Sequence, residues 1–222
     1  EVDDFALESY SRAREAITAG AFTREIVPVE VPQKKGAPLI VSDDEEPNRV
    51  DLSRLRELKP VFQDDGVLTV GNSPSCNDGA AALVVMAEEE AHRLGLTPMA
   101  YIAGYAGAAL APEWFTVAPI EAIRRLLKQT GLSVSDIDLF EINEAFSAVS
   151  LAINRELGLD AKKVNVNGGA VALGHPIGAT GARIVTTLLH AMQARDARRG
   201  LASLCIGGGE ALALLVERGS ER

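Results

Sequence analysis

The stretch Asp138-Leu139-Phe140-Glu141-Ile142-Asn143-Glu144-Ala145-Phe146 decides how this 222-residue chain is built. Asp138–Ile142 reads as a buried strand and Glu144–Leu157 as a helix, so a strand passes directly into a helix with Asn143 at the junction. The same alternation continues on both sides. Upstream, Met99–Ala109 reads as a strand of small apolar residues. Pro119–Thr130 reads as a helix with Ile120, Ile123, Leu126 and Leu127 inward, closed by Gly131. Downstream come a short strand at Val164–Val166 and a long helix over Ala179–Arg195. Two further strands, Leu201–Ile206 and Ala211–Val216, are joined as a hairpin by Gly207-Gly208-Gly209. Alternation of this kind predicts α/β layers, with helices covering a mixed sheet.

Composition changes near Asn77. Before it the chain is polar and loop-rich; after it Ala, Gly, Leu and Val dominate. Asp4–Gly20 predicts an amphipathic helix with Phe5, Ser9, Ala13 and Ala16 on one face. Glu25–Val31 predicts an edge strand, since Pro28 cannot donate to a ladder. Residues 32–48, with the acidic run Asp43-Asp44-Glu45-Glu46, read as a solvated loop, and Leu52–Leu58 as a short helix. Beyond Asn77, Ala80–Ala87 predicts a strand and Glu88–Gly95 a helix.

A content of 47 % hydrophobic and 24 % charged residues is that of a soluble globular protein. A net charge of −9 argues against a general nucleic-acid binder. The longest apolar runs are far shorter than a membrane span, and with no charged n-region and apolar h-region at its opening no signal peptide is expected. Two cysteines, Cys76 and Cys205, cannot make a disulfide framework, so a reducing, cytoplasmic setting is expected. No Cys/His spacing suggests a metal site. The opening residue, Glu1, reads as the start of a processed, cleaved or truncated chain.

Three clusters at strand ends can carry chemistry, because ligands gather at those ends in open α/β folds. Asn143 either caps the following helix or uses its amide to hold a water or a substrate oxygen. Asn167–Gly181 contains five glycines in fifteen residues, a backbone that needs positive φ or close approach. Within it His175 is stiffened between Gly174 and Pro176, just before a helix start. In Cys205-Ile206-Gly207-Gly208-Gly209 the glycines bare the backbone beside a thiol, freeing N–H groups to face an oxyanion. A thiol with an imidazole nearby can act as nucleophile or acid–base. Cys76 reads as packed, and His92 and His190 as solvent-facing.

Asn143–Phe146, Asn165–Gly181 with its Gly-His-Pro-Ile-Gly-Ala-Thr-Gly-Ala core, and Cys205–Gly209 resemble the thiolase family in order and spacing. The resemblance implies a layered αβαβα fold. This chain would hold the complete C-terminal domain (residues 97–222) plus parts of the loop domain (1–76) and the last strand and helix of the N-terminal domain (77–96). It implies acyl transfer between coenzyme A thioesters, either Claisen condensation or thiolysis of a 3-ketoacyl-CoA, with no tightly bound cofactor. His175 matches the family histidine that activates the nucleophile and helps bind a thioester oxygen. Asn143 matches the residue that holds the water of that oxyanion site. Cys205 matches the acid–base cysteine and Gly207 the glycine whose N–H serves the other oxyanion hole. Leu58, Phe62, Val70, Ser73, Ala145 and Phe146 match positions that contact coenzyme A.

The family nucleophile lies in a Cys-x-Ser-Gly helix start, a motif this sequence does not contain. The expectation is therefore the C-terminal part of a thiolase, active only with an N-terminal half supplied as a second chain, the whole assembling as a dimer or tetramer. The alternatives are a non-catalytic coenzyme A-binding or scaffold subunit, or an inactive fragment.

Overall fold

A computed structural model of the chain describes residues 1–219. Its helices are α1 (Val2–Thr18), α2 (Glu46–Arg49), α3 (Glu88–Arg93), α4 (Ala118–Thr130), α5 (Ser147–Leu157), α6 (Ala170–Leu173) and α7 (Thr180–Ala194). Its strands are β1 (Val29–Val31), β2 (Leu39–Val41), β3 (Tyr101–Ala109), β4 (Leu139–Ile142), β5 (Arg199–Cys205) and β6 (Glu210–Glu217).

The main sheet has the order β3-β6-β5-β4. β5 and β6 form the expected antiparallel hairpin, β3 pairs antiparallel with β6, and β4 lies parallel to β5. Side chains alternate across it, as a pleated strand requires. Phe140, Ile142, Leu201, Ala213 and Leu215 face a core closed by Ile123 and Leu126 of α4 and by Val149 and Ile153 of α5. Leu139, Ala202 and Val216 face the opposite core, closed by Ile184, Leu188 and Met192 of α7. Both helical stripes follow the 3.6-residue period of the sequence.

Several expectations change, and residues 32–48, expected as loop, carry β2 and most of α2. The five layers are absent among the described residues, which build one sheet with a helical layer on each face. A second sheet would need strands before residue 97. There the chain forms only the exposed β1–β2 hairpin. Ala80–Ala87 makes no strand: it meets no partner among the described residues, and Val84 and Val85 are exposed. Val164–Val166 shrinks to a single parallel bridge between Val164 and Phe140. The Asn165 side chain then replaces a strand backbone, accepting from Ile142 N–H at 2.8 Å and donating to Ile142 C=O at 2.8 Å. Finally, α5 begins at Ser147, three residues later than expected, because Asn143–Phe146 are turned into the site described below.

α1 is buried through Ala6, Ser9, Tyr10, Ala13 and Ala16; Phe5, expected inward, is only half-buried. It packs on α6, sharing a cluster with Leu55, Val171 and Ala172. The Arg12 guanidinium donates to Val164 C=O at 2.7 Å and to Ala161 C=O at 3.1 Å. Among the described residues no helix is long and apolar enough to cross a membrane.

Candidate active site

β4 and β5 run parallel and end together, and the Asn143 N–H donates to Ser203 C=O at 2.9 Å. This pairing sets Asn143 and Cys205 at the C-terminal ends of adjacent strands. The loop before α7 carries His175 to the same place. Its Nε2 lies 3.4 Å from Asn143 Nδ2, and its Nδ1 lies 2.7 Å from Thr180 Oγ1. Asn143 is buried, and its Oδ1 has no hydrogen-bonding partner among the described residues. An acceptor buried without a partner costs roughly 1–3 kcal/mol, so the site favours a ligand or water that brings a donor.

The loop is clasped from the N-terminal part of the chain. The His175 N–H donates to Ser75 C=O at 3.0 Å and to Asn77 Oδ1 at 3.2 Å. Gly174 sits at φ 91°, ψ 166°, and a Cβ there would collide with Asn77. Cys76, expected to be packed, is exposed on this clasping segment. The imidazole is half-buried, which depresses its pKa below that of an ordinary histidine; Arg183 pushes the same way. The ring is therefore neutral near pH 7.

Glu144 anchors the other side. It is buried and accepts from Ser9 Oγ at 2.8 Å, Asn165 Nδ2 at 2.9 Å and Val171 N–H at 3.0 Å. Desolvation raises its pKa, and these donors oppose the rise. A Cβ on Gly169 would strike this carboxylate, so glycine is required there. α1, the end of β4 and α6 are thereby joined at one carboxylate.

Cys205 closes β5, partly buried, and its thiol pKa is raised by that burial. Gly207 is exposed in the following turn, and its N–H finds no protein acceptor among the described residues. Of the positions matched to coenzyme A contacts, Leu58, Phe62, Val70, Ser73 and Phe146 line one cavity of about 460 Å³, while Ala145 is buried and does not line it. Phe62 and Phe146 meet edge to face, ring centres 6.1 Å apart. On their far side lies a second, apolar cavity of about 500 Å³ reaching Phe115 and Val117. No group of three or more His, Cys, Asp or Glu side chains converges as a metal site among the described residues. His92 is exposed and His190, expected to face solvent, is half-buried.

Thr180, Asn77, Asn165 and Glu144 were not singled out individually from the sequence. Glu144, Asn165 and Thr180 lie inside or beside the Asn-Glu-Ala-Phe and glycine-rich stretches, and that adjacency was the available signal; Asn77 stands apart, at the composition break.

Residues 96–218 match the thiolase C-terminal domain family, and residues 1–89 match the thiolase N-terminal domain family. The chain is 52 % identical over 219 residues to the acetyl-CoA acetyltransferase of Pseudomonas aeruginosa, covering 98 % of this chain and 56 % of that protein. The fold matches the crystal structure of the Bacillus anthracis acetyl-CoA acetyltransferase with a TM-score of 0.94 and 46 % identity, over 97 % of this chain and 55 % of that one. It matches a thiolase of Ascaris suum in complex with coenzyme A with a TM-score of 0.88 and 44 % identity, over 98 % and 55 % of the two chains. The chain thus spans about half the length of the relatives it matches. The match to both domain families corrects the reading of this chain as the C-terminal part alone. With it fall the second chain carrying an N-terminal half, the nucleophile assigned to that chain, and activity conditional on it. The packing agrees, since Ser9, Ser75 and Asn77, all within residues 1–89, hold Glu144 and His175 in place.

Proposed function

The chain belongs to the thiolase family, and from that membership we propose that it binds coenzyme A thioesters and carries out the carbonyl-polarising and proton-transfer chemistry of acyl transfer. The observation that carries this reading is the convergence of Asn143, His175 and Cys205 on one end of the sheet, next to a cavity lined by Leu58, Phe62, Val70, Ser73 and Phe146.

In this reading the Asn143 amide holds a water through its free Oδ1, and that water donates to the thioester oxygen. Neutral His175 accepts the proton of an attacking thiol at Nε2 and then donates it to the same oxygen. Cys205, in the thiolate form that its raised pKa makes the minor one near pH 7, takes a proton from the carbon next to a thioester carbonyl. The C–H bond breaks, the proton moves to Sγ, and the electron pair spreads onto the carbonyl oxygen, where the water on Asn143 and the Nε2–H of charged His175 receive it, the Gly207 N–H serving the second oxyanion hole. Run backwards, the same groups reprotonate the carbon released in thiolysis. In this division residues 1–76, the later part of a loop domain, supply most of the cavity wall together with Phe146, 77–96 are the end of the N-terminal domain, and 97–222 are the C-terminal domain that brings Asn143, His175, Cys205 and Gly207.

Titration calorimetry with coenzyme A and acetyl-CoA tests the binding half. Phe62 is 68 % exposed, so its replacement leaves the core intact. Phe62→Ala should weaken binding by about tenfold, the loss of one aromatic anchor. Equal affinity in the wild type and Phe62→Ala would place coenzyme A elsewhere.

A further inference from the structure

We propose that Thr180 is the positioning residue that holds the His175 ring in the tautomer with its proton on Nδ1, leaving Nε2 as the acceptor at the reacting centre; this rests on the role proposed above for His175. The geometry carries the assignment through three linked bonds. Asn143 turns its amide nitrogen, a donor, to His175 Nε2 at 3.4 Å, a long contact that calls for a lone pair on Nε2 and that an attacking thiol can displace. A neutral imidazole then carries its hydrogen on Nδ1, and Nδ1 stands 2.7 Å from Thr180 Oγ1. A threonine hydroxyl has one hydrogen, and this one lies 3.0 Å from Pro176 C=O, which accepts it. The hydroxyl oxygen is left with its lone pairs facing the ring.

Thr180 is well placed to act as a fixed acceptor. It is fully buried, it is the first residue of α7, and the carbonyl that orients it belongs to the residue directly after His175. The ring is therefore held by a loop of contacts that closes on itself within six residues, His175 to Thr180. When Nε2 takes a proton it no longer accepts from Asn143, but the Nδ1–H bond to Thr180 is unchanged and keeps the ring's orientation. The orienting partner of a functional imidazole commonly acts in this way, fixing which nitrogen carries the proton. Here a neutral hydroxyl takes the place that a carboxylate holds in other sites.

The test is nitrogen-15 NMR of the His175 side chain in the wild type, Thr180→Val and Thr180→Ser, with α-proton exchange of acetyl-CoA measured on the same samples. Valine keeps the branched shape and removes the acceptor; serine keeps the acceptor. The expected result is Nδ1–H in the wild type and in Thr180→Ser, with Thr180→Val shifting to Nε2–H or a mixture. Exchange should fall about ten- to a hundredfold in Thr180→Val, the range that outer partners of functional histidines carry, and recover in Thr180→Ser. A wild-type ring protonated on Nε2, or a Thr180→Val ring indistinguishable from the wild type, would overturn the proposal. The nitrogen shifts report the tautomer whether or not the protein turns over. Correct tautomers with no exchange in any sample would therefore count against the proposed function while supporting the role of Thr180.

Discussion

His175 is held at both ring nitrogens and at its backbone N–H, and the residue before it makes this possible. Gly174 occupies a region of φ and ψ that only glycine adopts at low cost, and its missing side chain leaves room for the Asn77 amide. Gly174→Ala should therefore destabilise the fold by about 1–3 kcal/mol, the usual cost of such backbone strain, read from urea unfolding midpoints. It should also slow any reaction that needs the imidazole, because Asn77 must move. An unchanged midpoint would show that the clasp contributes nothing. Cys205 and His175 are tuned in opposite senses. Burial keeps the thiol protonated to higher pH than an ordinary cysteine and keeps the imidazole neutral to lower pH than an ordinary histidine. Near pH 7 the site thus holds a proton on the Cys205 sulfur and a neutral imidazole at His175. His175 and Cys205 were readable from the glycines and proline near them, and Asn143 from its place at a strand-to-helix junction. Thr180 and Asn77 were not, because their roles depend on which lone pair a neighbour leaves free.

At the scale of elements, β4 and α7 enclose Glu141, whose carboxyl pKa is pushed up to about 8 by burial. Arg183 of α7 opposes this from 3.9 Å, yet Glu141 Oε1 and Arg183 Nη1 are both buried without a hydrogen bond, so the pair does not offset desolvation. The sign follows from proton counting. Between the ordinary carboxylate value of 4.5 and about 8, the folded chain keeps a proton that the unfolded chain has released. The stability contributed by neutral Glu141 is present below that window and is lost as pH rises through it. Glu141→Gln, neutral throughout, should unfold at higher urea than the wild type at pH 8, with the difference shrinking towards pH 4.5. A difference independent of pH would mean that Glu141 is charged in the fold at every pH tested. The helices α4 and α7 and the β5–β6 hairpin were legible from period and turn residues alone. The failures have a common cause. Ala80–Ala87 has the composition of a strand, but a strand also needs a neighbour, and no neighbour is written in its own residues. The late start of α5 likewise depends on Glu144 finding donors on α1 and α6, 135 residues away in the case of Ser9.

At the scale of the molecule, the N-terminal third is built into the site rather than appended to it. α1 seats on α6, Ser9 and Arg12 bond the region around Asn165, Asn72 accepts from the Ser147 N–H at 3.1 Å, and Thr187 of α7 donates to Glu25 at 2.9 Å. Such interlocking makes unfolding a single event: far-ultraviolet circular dichroism and the fluorescence of the single tryptophan, Trp114, should give coincident urea transitions. Separate midpoints would mean that the N-terminal residues fold as an independent unit. This integration was the least visible property from the sequence, where the composition break near Asn77 suggested a boundary. The break is real as composition, but Ser75 and Asn77, flanking it, bond the backbone of His175.

The central claim is that Cys205, with His175 and the water on Asn143 at the thioester oxygen, removes a proton from the carbon beside a thioester carbonyl. The most direct measurement is proton NMR of acetyl-CoA in deuterium oxide, following loss of the acetyl methyl signal across a pH series with the wild type and with Cys205→Ala. The expected result is exchange catalysed by the wild type, rising with pH towards an inflection above that of an ordinary thiol, and abolished by Cys205→Ala. Wild-type exchange no faster than in buffer, or exchange by Cys205→Ala at the wild-type rate, would contradict the account.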